Sequence, residues 1–155
     1  MIIPARQEDF ETVRNITRTT INAVYPHYYP RGAVEFFLAY HSGERIAEDI
    51  ARGRVYLCRD GEVAAGTVTV KENEITRLFV LPEYQGRGFG GELLRFAEEL
   101  IAKSHDEIVI DASLPAKPIY LRRGYKETEY NIVNTENNDH LCYDVMKKTL
   151  RTEPT

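Results

Sequence analysis

The chain has 155 residues, 43% of them hydrophobic and 28% charged, which suits one folded unit with a single sizeable core. Its 20 Lys and Arg against 24 Asp and Glu leave a formal net charge of -4, arguing against the dense basic surface that non-specific nucleic-acid binding needs. The basic pairs Arg122–Arg123 and Lys147–Lys148 read as solvated faces. Cys58 and Cys142 lie far apart without metal-ligand spacing and read as free thiols in a reducing compartment. No apolar run approaches the ~18 residues of a membrane span, and the start "MIIPARQEDF" lacks an apolar signal region. The expectation is a cytoplasmic protein with no membrane and no nucleic-acid partner. One domain is expected over residues 1–150, with a short tail at 151–155.

Ile2–Ile3 predict a first short strand. From Gln7 to Val24 the residues Phe10, Val13, Ile16, Ile21 and Val24 recur at helical spacing. "YPHYYPRG" breaks that helix with two prolines and a glycine. Two more helical stretches follow, "AVEFFLAYH" and "ERIAEDIA". The period then changes to two. "RVYLCRDGEVAAGTVTV" predicts two strands joined at Asp60–Gly61, and "EITRLFVL" a third strand stopped by Pro82. Beyond a glycine-rich turn, Leu93, Leu94, Phe96, Ala97, Leu100 and Ile101 form one helical stripe over 91–103. "EIVIDA" predicts a buried strand, "AKPIYLRR" a short helix ended by Gly124, and "YKETEYNIV" with "HLCYDVMKK" a closing strand pair. This order predicts a mixed α+β or α/β fold. Its twisted sheet would be mostly antiparallel, with about seven strands, helices on both faces, and one parallel crossover through the helix at 91–103.

The stretch "LPEYQGRGFGGELL" at 81–94 sets four glycines between a strand and a helix. Strand, glycine turn and helix N-terminus present unpaired N–H groups to an anion. Gly86, Gly88, Gly90 and Gly91 would let a phosphate reach the main chain, and Arg87 could add a charged contact. The same spacing also suits a plain tight connection. No Lys-Ser/Thr follows the glycines, as a Walker A loop requires. A dinucleotide fingerprint fits Gly86, Gly88 and Gly91 in spacing, but a hairpin precedes them, and Asp111 is the nearest acidic candidate.

"QGRGFG" at 85–90 matches Gln/Arg-x-x-Gly-x-Gly/Ala and resembles the acyl-CoA pyrophosphate loop of the GNAT N-acetyltransferase superfamily. "AKPIYLRRGY" at 116–125 resembles that family's Ala-x-x-x-Tyr…Gly-Phe/Tyr segment, and the two motifs stand in the family's order. The element order over roughly 1–148 is similar too, more loosely in the first third. One departure is Ser113, where the family often has Asn, so an amide contact to the pantetheine arm falls to a hydroxyl.

The resemblance implies acetyl transfer from acetyl-CoA to a primary amine, by direct attack in a ternary complex and without a metal. It implies that Leu78, Phe79 and Val80 pair with the pantetheine as an added strand does. Gln85, Gly86, Arg87, Gly88, Phe89, Gly90, Gly91 and Ser113 complete the cofactor site. Tyr120 stands at the general-acid position, and a core tyrosine is its other reading. Glu74 is the candidate base, with Glu72 or a water chain as alternatives. Tyr25, His27, Tyr28 and Tyr29 in "VYPHYYP" could line an amine pocket through cation–π contacts or simply cap the core. The acceptor is a small-molecule or peptide amine, and the resemblance allows a homodimer. A non-catalytic acyl-CoA-binding module is the alternative from another class.

Overall fold

The computed structural model describes residues 1–135 and 137–150; the expected tail at 151–155 lies outside them. The elements are β1 (Ile2–Pro4), α1 (Phe10–Val24), α2 (Arg31–Tyr40), α3 (Gly43–Ala51), β2 (Val55–Asp60), β3 (Val63–Lys71) and β4 (Glu74–Val80). They continue with α4 (Phe89–Ala102), β5 (Glu107–Ala112), α5 (Lys117–Arg122), β6 (Lys126–Asn134) and β7 (His140–Thr149). The strands form one seven-stranded sheet in the order β1-β2-β3-β4-β5-β7-β6. Every neighbouring pair is antiparallel except β4 and β5, which are joined by the crossover through α4. Among the described residues no helix is long and apolar enough to cross a membrane.

Each face of the sheet carries its own apolar cluster. On one side α1 buries Val13, Ile16 and Ile21, one per helical turn or so, against Leu57, Phe79 and Leu81. On the other, α4 buries Leu93, Leu94, Ala97 and Ile101 against Val68, Ile108 and Ile110. The α4 stripe also buries Glu98, which falls on the stripe by helical spacing although its charge would favour solvent. Its carboxylate accepts from Arg123 at 3.1 Å and Lys148 at 2.6 Å. One member of each basic pair is therefore a half-buried counter-ion to Glu98 rather than part of a freely solvated face.

Two turns differ from expectation in ways that matter. The β2–β3 loop is Gly61–Glu62, one residue later than predicted, because Asp60 still pairs with Val63 and only Gly61 takes the left-handed φ of 62°. In β4, Thr69 faces Arg77 while Val70 faces Ile75, so Thr76 is an extra residue and forms a β-bulge. The bulge inverts side-chain parity. Ile75 joins Leu78 and Val80 on the α4 face, and Glu74 joins Arg77 and Phe79 on the face covered by the first three helices.

Candidate active site

A groove enters the sheet where two central strands part. β4 and β5 pair only at Glu74 with Val109 and Ile75 with Ile110. Beyond that point β4 stays with β3 as far as Val80, and β5 stays with β7 as far as Ala112. The facing edges of Thr76–Val80 and β5 thus lack each other's hydrogen bonds in the middle of a sheet, where an edge is normally abolished. The resulting groove of about 610 Å³ is lined by residues from both faces.

Its cofactor-like end is built from backbone. Gly86 and Gly88 hold φ of 78° and 92°, values a side chain tolerates poorly, and a Cβ added at either would meet nothing within 4 Å. The first α4 bond runs from the Glu92 amide to the Gly88 carbonyl. The amides of Phe89, Gly90 and Gly91 accordingly have no helical partner and sit at the positive end of the helix dipole. Leu78, Phe79, Val80, Gln85, Gly86, Gly88, Gly90 and Gly91 all line the groove. The Gln85 side chain donates to the Val80 carbonyl at 3.0 Å and so braces the strand end.

Arg87 and Phe89 are placed otherwise. Arg87 pairs with Asp60 at 2.9 Å and lies over the rings of Tyr84 and Phe89, outside the groove lining. That pair is half exposed, so its net strength is small.

Tyr120 reaches the groove from α5 and is almost fully buried. Burial first, and nearby Tyr25 second, push its hydroxyl well above the ordinary phenol range, so it stays protonated and able to donate. Ser113 also lines the groove, near enough to Tyr25 to oppose the rise that burial gives its hydroxyl pKa.

The aromatic loop splits. Tyr25 lines the groove, with its ring edge-on to Phe37 at 4.7 Å. Tyr29 is buried outside the lining, and its hydroxyl accepts from the Leu114 amide at 2.6 Å. His27 and Tyr28 are exposed and stand away from the groove. Of the four rings expected around an amine pocket only Tyr25 lines the groove; the consecutive residues His27 and Tyr28 at the end of the 3-10 turn face outward, and Tyr29 is buried behind the lining.

Acidic and polar groups from four other elements also line the groove. Glu74 lines the groove, and its carboxyl is held above the usual range by burial first and by Asp111 second. Glu72 sits exposed on the β3–β4 turn with φ 56° and does not line it. Asp111, Tyr40, His41 and Tyr143 line the same side. Arg77, only 4% exposed, donates to Thr69 at 2.7 Å and to Asp49 at 3.3 Å. Sequence reasoning missed Tyr40, His41, Arg77 and Tyr143, and weighed Asp111 only for a dinucleotide fingerprint. The available signals were a charge inside each of two apolar strands, Arg77 in "EITRLFV" and Asp111 in "EIVIDA".

The acetyltransferase (GNAT) domain model matches residues 24–150. The uncharacterized N-acetyltransferase YafP of Escherichia coli (strain K12) is 31% identical over 114 residues, 74% of this chain and 69% of that protein. Two solved structures share the fold. The GCN5-related N-acetyltransferase of Rhodopseudomonas palustris has a TM-score of 0.87 at 24% identity, covering 96% of this chain and 94% of that one. The PaiA N-acetyltransferase of Thermoplasma acidophilum, solved in complex with coenzyme A, has a TM-score of 0.73 at 21% identity, covering 96% and 98%. A split central sheet leading to a glycine-rich helix start, and a family match over most of the chain, agree: the chain belongs to the GNAT acetyltransferases and is an acyltransferase.

Proposed function

We propose that the protein transfers an acetyl group from acetyl-CoA to a primary amine by direct attack in a ternary complex. One observation carries the reading: the parted strands, the free α4 amides, Tyr120 and Glu74 all open on one groove. In this reading the pantetheine arm lies against the unpaired edge of Leu78–Val80, and the pyrophosphate lies over Gly86–Gly91.

The acceptor must lose a proton before it can attack, because a free alkyl ammonium titrates near 10. Glu74 takes that proton through water. The nitrogen lone pair then forms the C–N bond, the C–S bond breaks, and the electron pair leaves on sulfur. Tyr120 donates its proton to the thiolate and is reprotonated by the proton lost from the new amide nitrogen. The sum is ammonium plus thioester giving amide, free thiol and one proton.

Free CoA thiol release, followed across a panel of amines, tests the reaction. Release with at least one amine is expected, and none with any amine overturns it. Cofactor binding has a separate readout. At a hundredfold excess over its Kd, acetyl-CoA should add about 2.7 kcal/mol, or roughly 5–10 °C in midpoint, while ATP and NAD add nothing.

A further inference from the structure

We propose that the acceptor is a small organic dication, a primary amine whose chain carries a second ammonium, held by the carboxylates of Glu74, Asp111 and Glu129. The proposal rests on the acetyltransferase reading above and names its substrate class.

The three carboxylates come from three strands and share one face of the sheet. Glu74 reaches that face through the Thr76 bulge, and Asp111 pairs with Val145, which in turn pairs with Glu129. Asp111 lies in the groove with Glu74, and its carboxyl is raised by partial burial first and by Glu129 second. Among the described residues none of the three forms an ion pair. Lys71 faces Glu74 across the β3–β4 turn and offsets part of its charge. The other cations nearby are engaged elsewhere: Arg77 is tied to Asp49, Arg45 stacks on the Tyr40 ring, and Lys147, on the same sheet face, pairs with Glu107 at 3.8 Å.

A second observation points to a ligand. His41 is 8% exposed, lines the groove, and its Nδ1 has no hydrogen-bond partner. Burial, then Arg77 and Arg45, push its pKa down to about 3, so the imidazole is neutral near pH 7. A neutral ring accepts a hydrogen bond from an ammonium without repelling it. Tyr40 and Tyr143 add electron-rich rings to the same wall.

The spacing favours an extended organic cation over a metal ion. The described residues hold no group of three His, Cys, Asp or Glu placed to bind one metal. Glu74 is opposite Val109, and Asp111 is two residues further along the neighbouring strand. Strand geometry puts their Cα atoms about 8 Å apart, close to the reach of a five-carbon diamine. A groove of about 610 Å³ shared with a cofactor arm leaves room for a small molecule. One carboxylate then serves the reacting nitrogen while the other holds the distal charge.

The test compares 1,5-diaminopentane with pentylamine. The intact enzyme should favour the diamine by about tenfold or more in kcat/KM. Asp111→Asn should collapse that ratio toward one, and Glu129→Gln should reduce it by a lesser factor. Calorimetry gives an independent arm: diamine binding to the CoA-loaded protein should weaken about tenfold in Asp111→Asn, with the Kd for CoA unchanged. Equal kcat/KM for the two amines, or a preference that survives both substitutions, overturns the proposal. If no amine is acetylated but the CoA-loaded protein binds the diamine through Asp111, the dication site stands and the transfer reading falls. If the diamine also fails to bind, both fall.

Discussion

The glycine turn before α4 and the proline-broken turn after α1 are both helix boundaries, and both border the same groove. They differ in what their polar groups are doing. In the first, Gly86 and Gly88 face open space and, among the described residues, three amides of the first helical turn have no helical partner. In the second, Tyr25 is packed on Tyr29 and Phe37, and Tyr29 already holds the Leu114 amide. A turn with unspent donors is built to meet a ligand, whereas one whose rings and hydroxyls are engaged is built to hold its own neighbours.

The largest expected effect falls on the open turn. Gly90 has no positive φ, so a side chain is tolerated by the backbone and helix propensity improves. Its Cβ would come 3.7 Å from Val80 at the groove wall. Gly90→Leu should therefore weaken acetyl-CoA binding by a factor on the order of 10² or more, with the melting midpoint held or raised. Calorimetric binding at the wild-type level would make this loop a plain connection.

Next comes Tyr120→Phe, which keeps the packing and removes the proton. We expect kcat and kcat/KM to fall together by about 10²-fold, the lower end for a general acid, with acetyl-CoA affinity nearly unchanged. Steady-state kinetics at saturating amine decide it. Full turnover would return Tyr120 to the core.

His41 tests the wall between the two turns through pH. Its folded pKa of about 3 lies below the unfolded value near 6.5, so below pH 6.5 the unfolded chain binds the extra proton. Stability from this group is therefore present above 6.5 and lost as pH falls towards 3, by about 2 kcal/mol at pH 5. Glu74 and Asp111, with raised pKa values, act in the opposite direction: their protonated forms favour the fold, and that contribution fades as pH rises through their folded pKa values. The measurement is accordingly a difference. Urea titrations of wild type and His41→Phe at pH 7 and pH 5 should show a smaller acid loss in the variant, and equal losses would mean that His41 does not titrate in this way.

The smallest effects concern the engaged turn. Tyr29→Phe removes a buried hydroxyl and strands the Leu114 amide, at about 1–3 kcal/mol and thus roughly 2–10 °C in midpoint. Tyr28→Ala, on an exposed ring, should stay within about 0.5 kcal/mol and leave the KM for amines alone. A KM increase in Tyr28→Ala would bring the exposed ring back into the acceptor site.

Much of the fold was readable because it is local. Helical stripes in α1 and α4, the β2–β3 and β3–β4 hairpins, and the β6–β7 pair each depend on residues close in sequence. The glycine loop was readable for the same reason. Its message is written in backbone freedom at 86 and 88, and each φ is a property of one residue. Arg87 shows the limit: its charge was visible, but its attachment to Asp60 on another hairpin was not.

The side of the groove that holds Glu74 obeys no such local rule. Thr76 gives no sign in the sequence that it will bulge, yet that one extra residue decides which face Glu74 joins. Glu98 reads as a surface charge until Arg123 and Lys148 arrive from α5 and β7. Tyr25 and Tyr28 are alike in composition and three residues apart, and only packing turns one inward and leaves the other in water. Local composition and period thus settle which elements form and where backbone must bend freely. Which side chains meet across the parted strands is settled by non-local register, since a one-residue shift in pairing sends a strand's side chains to the opposite face.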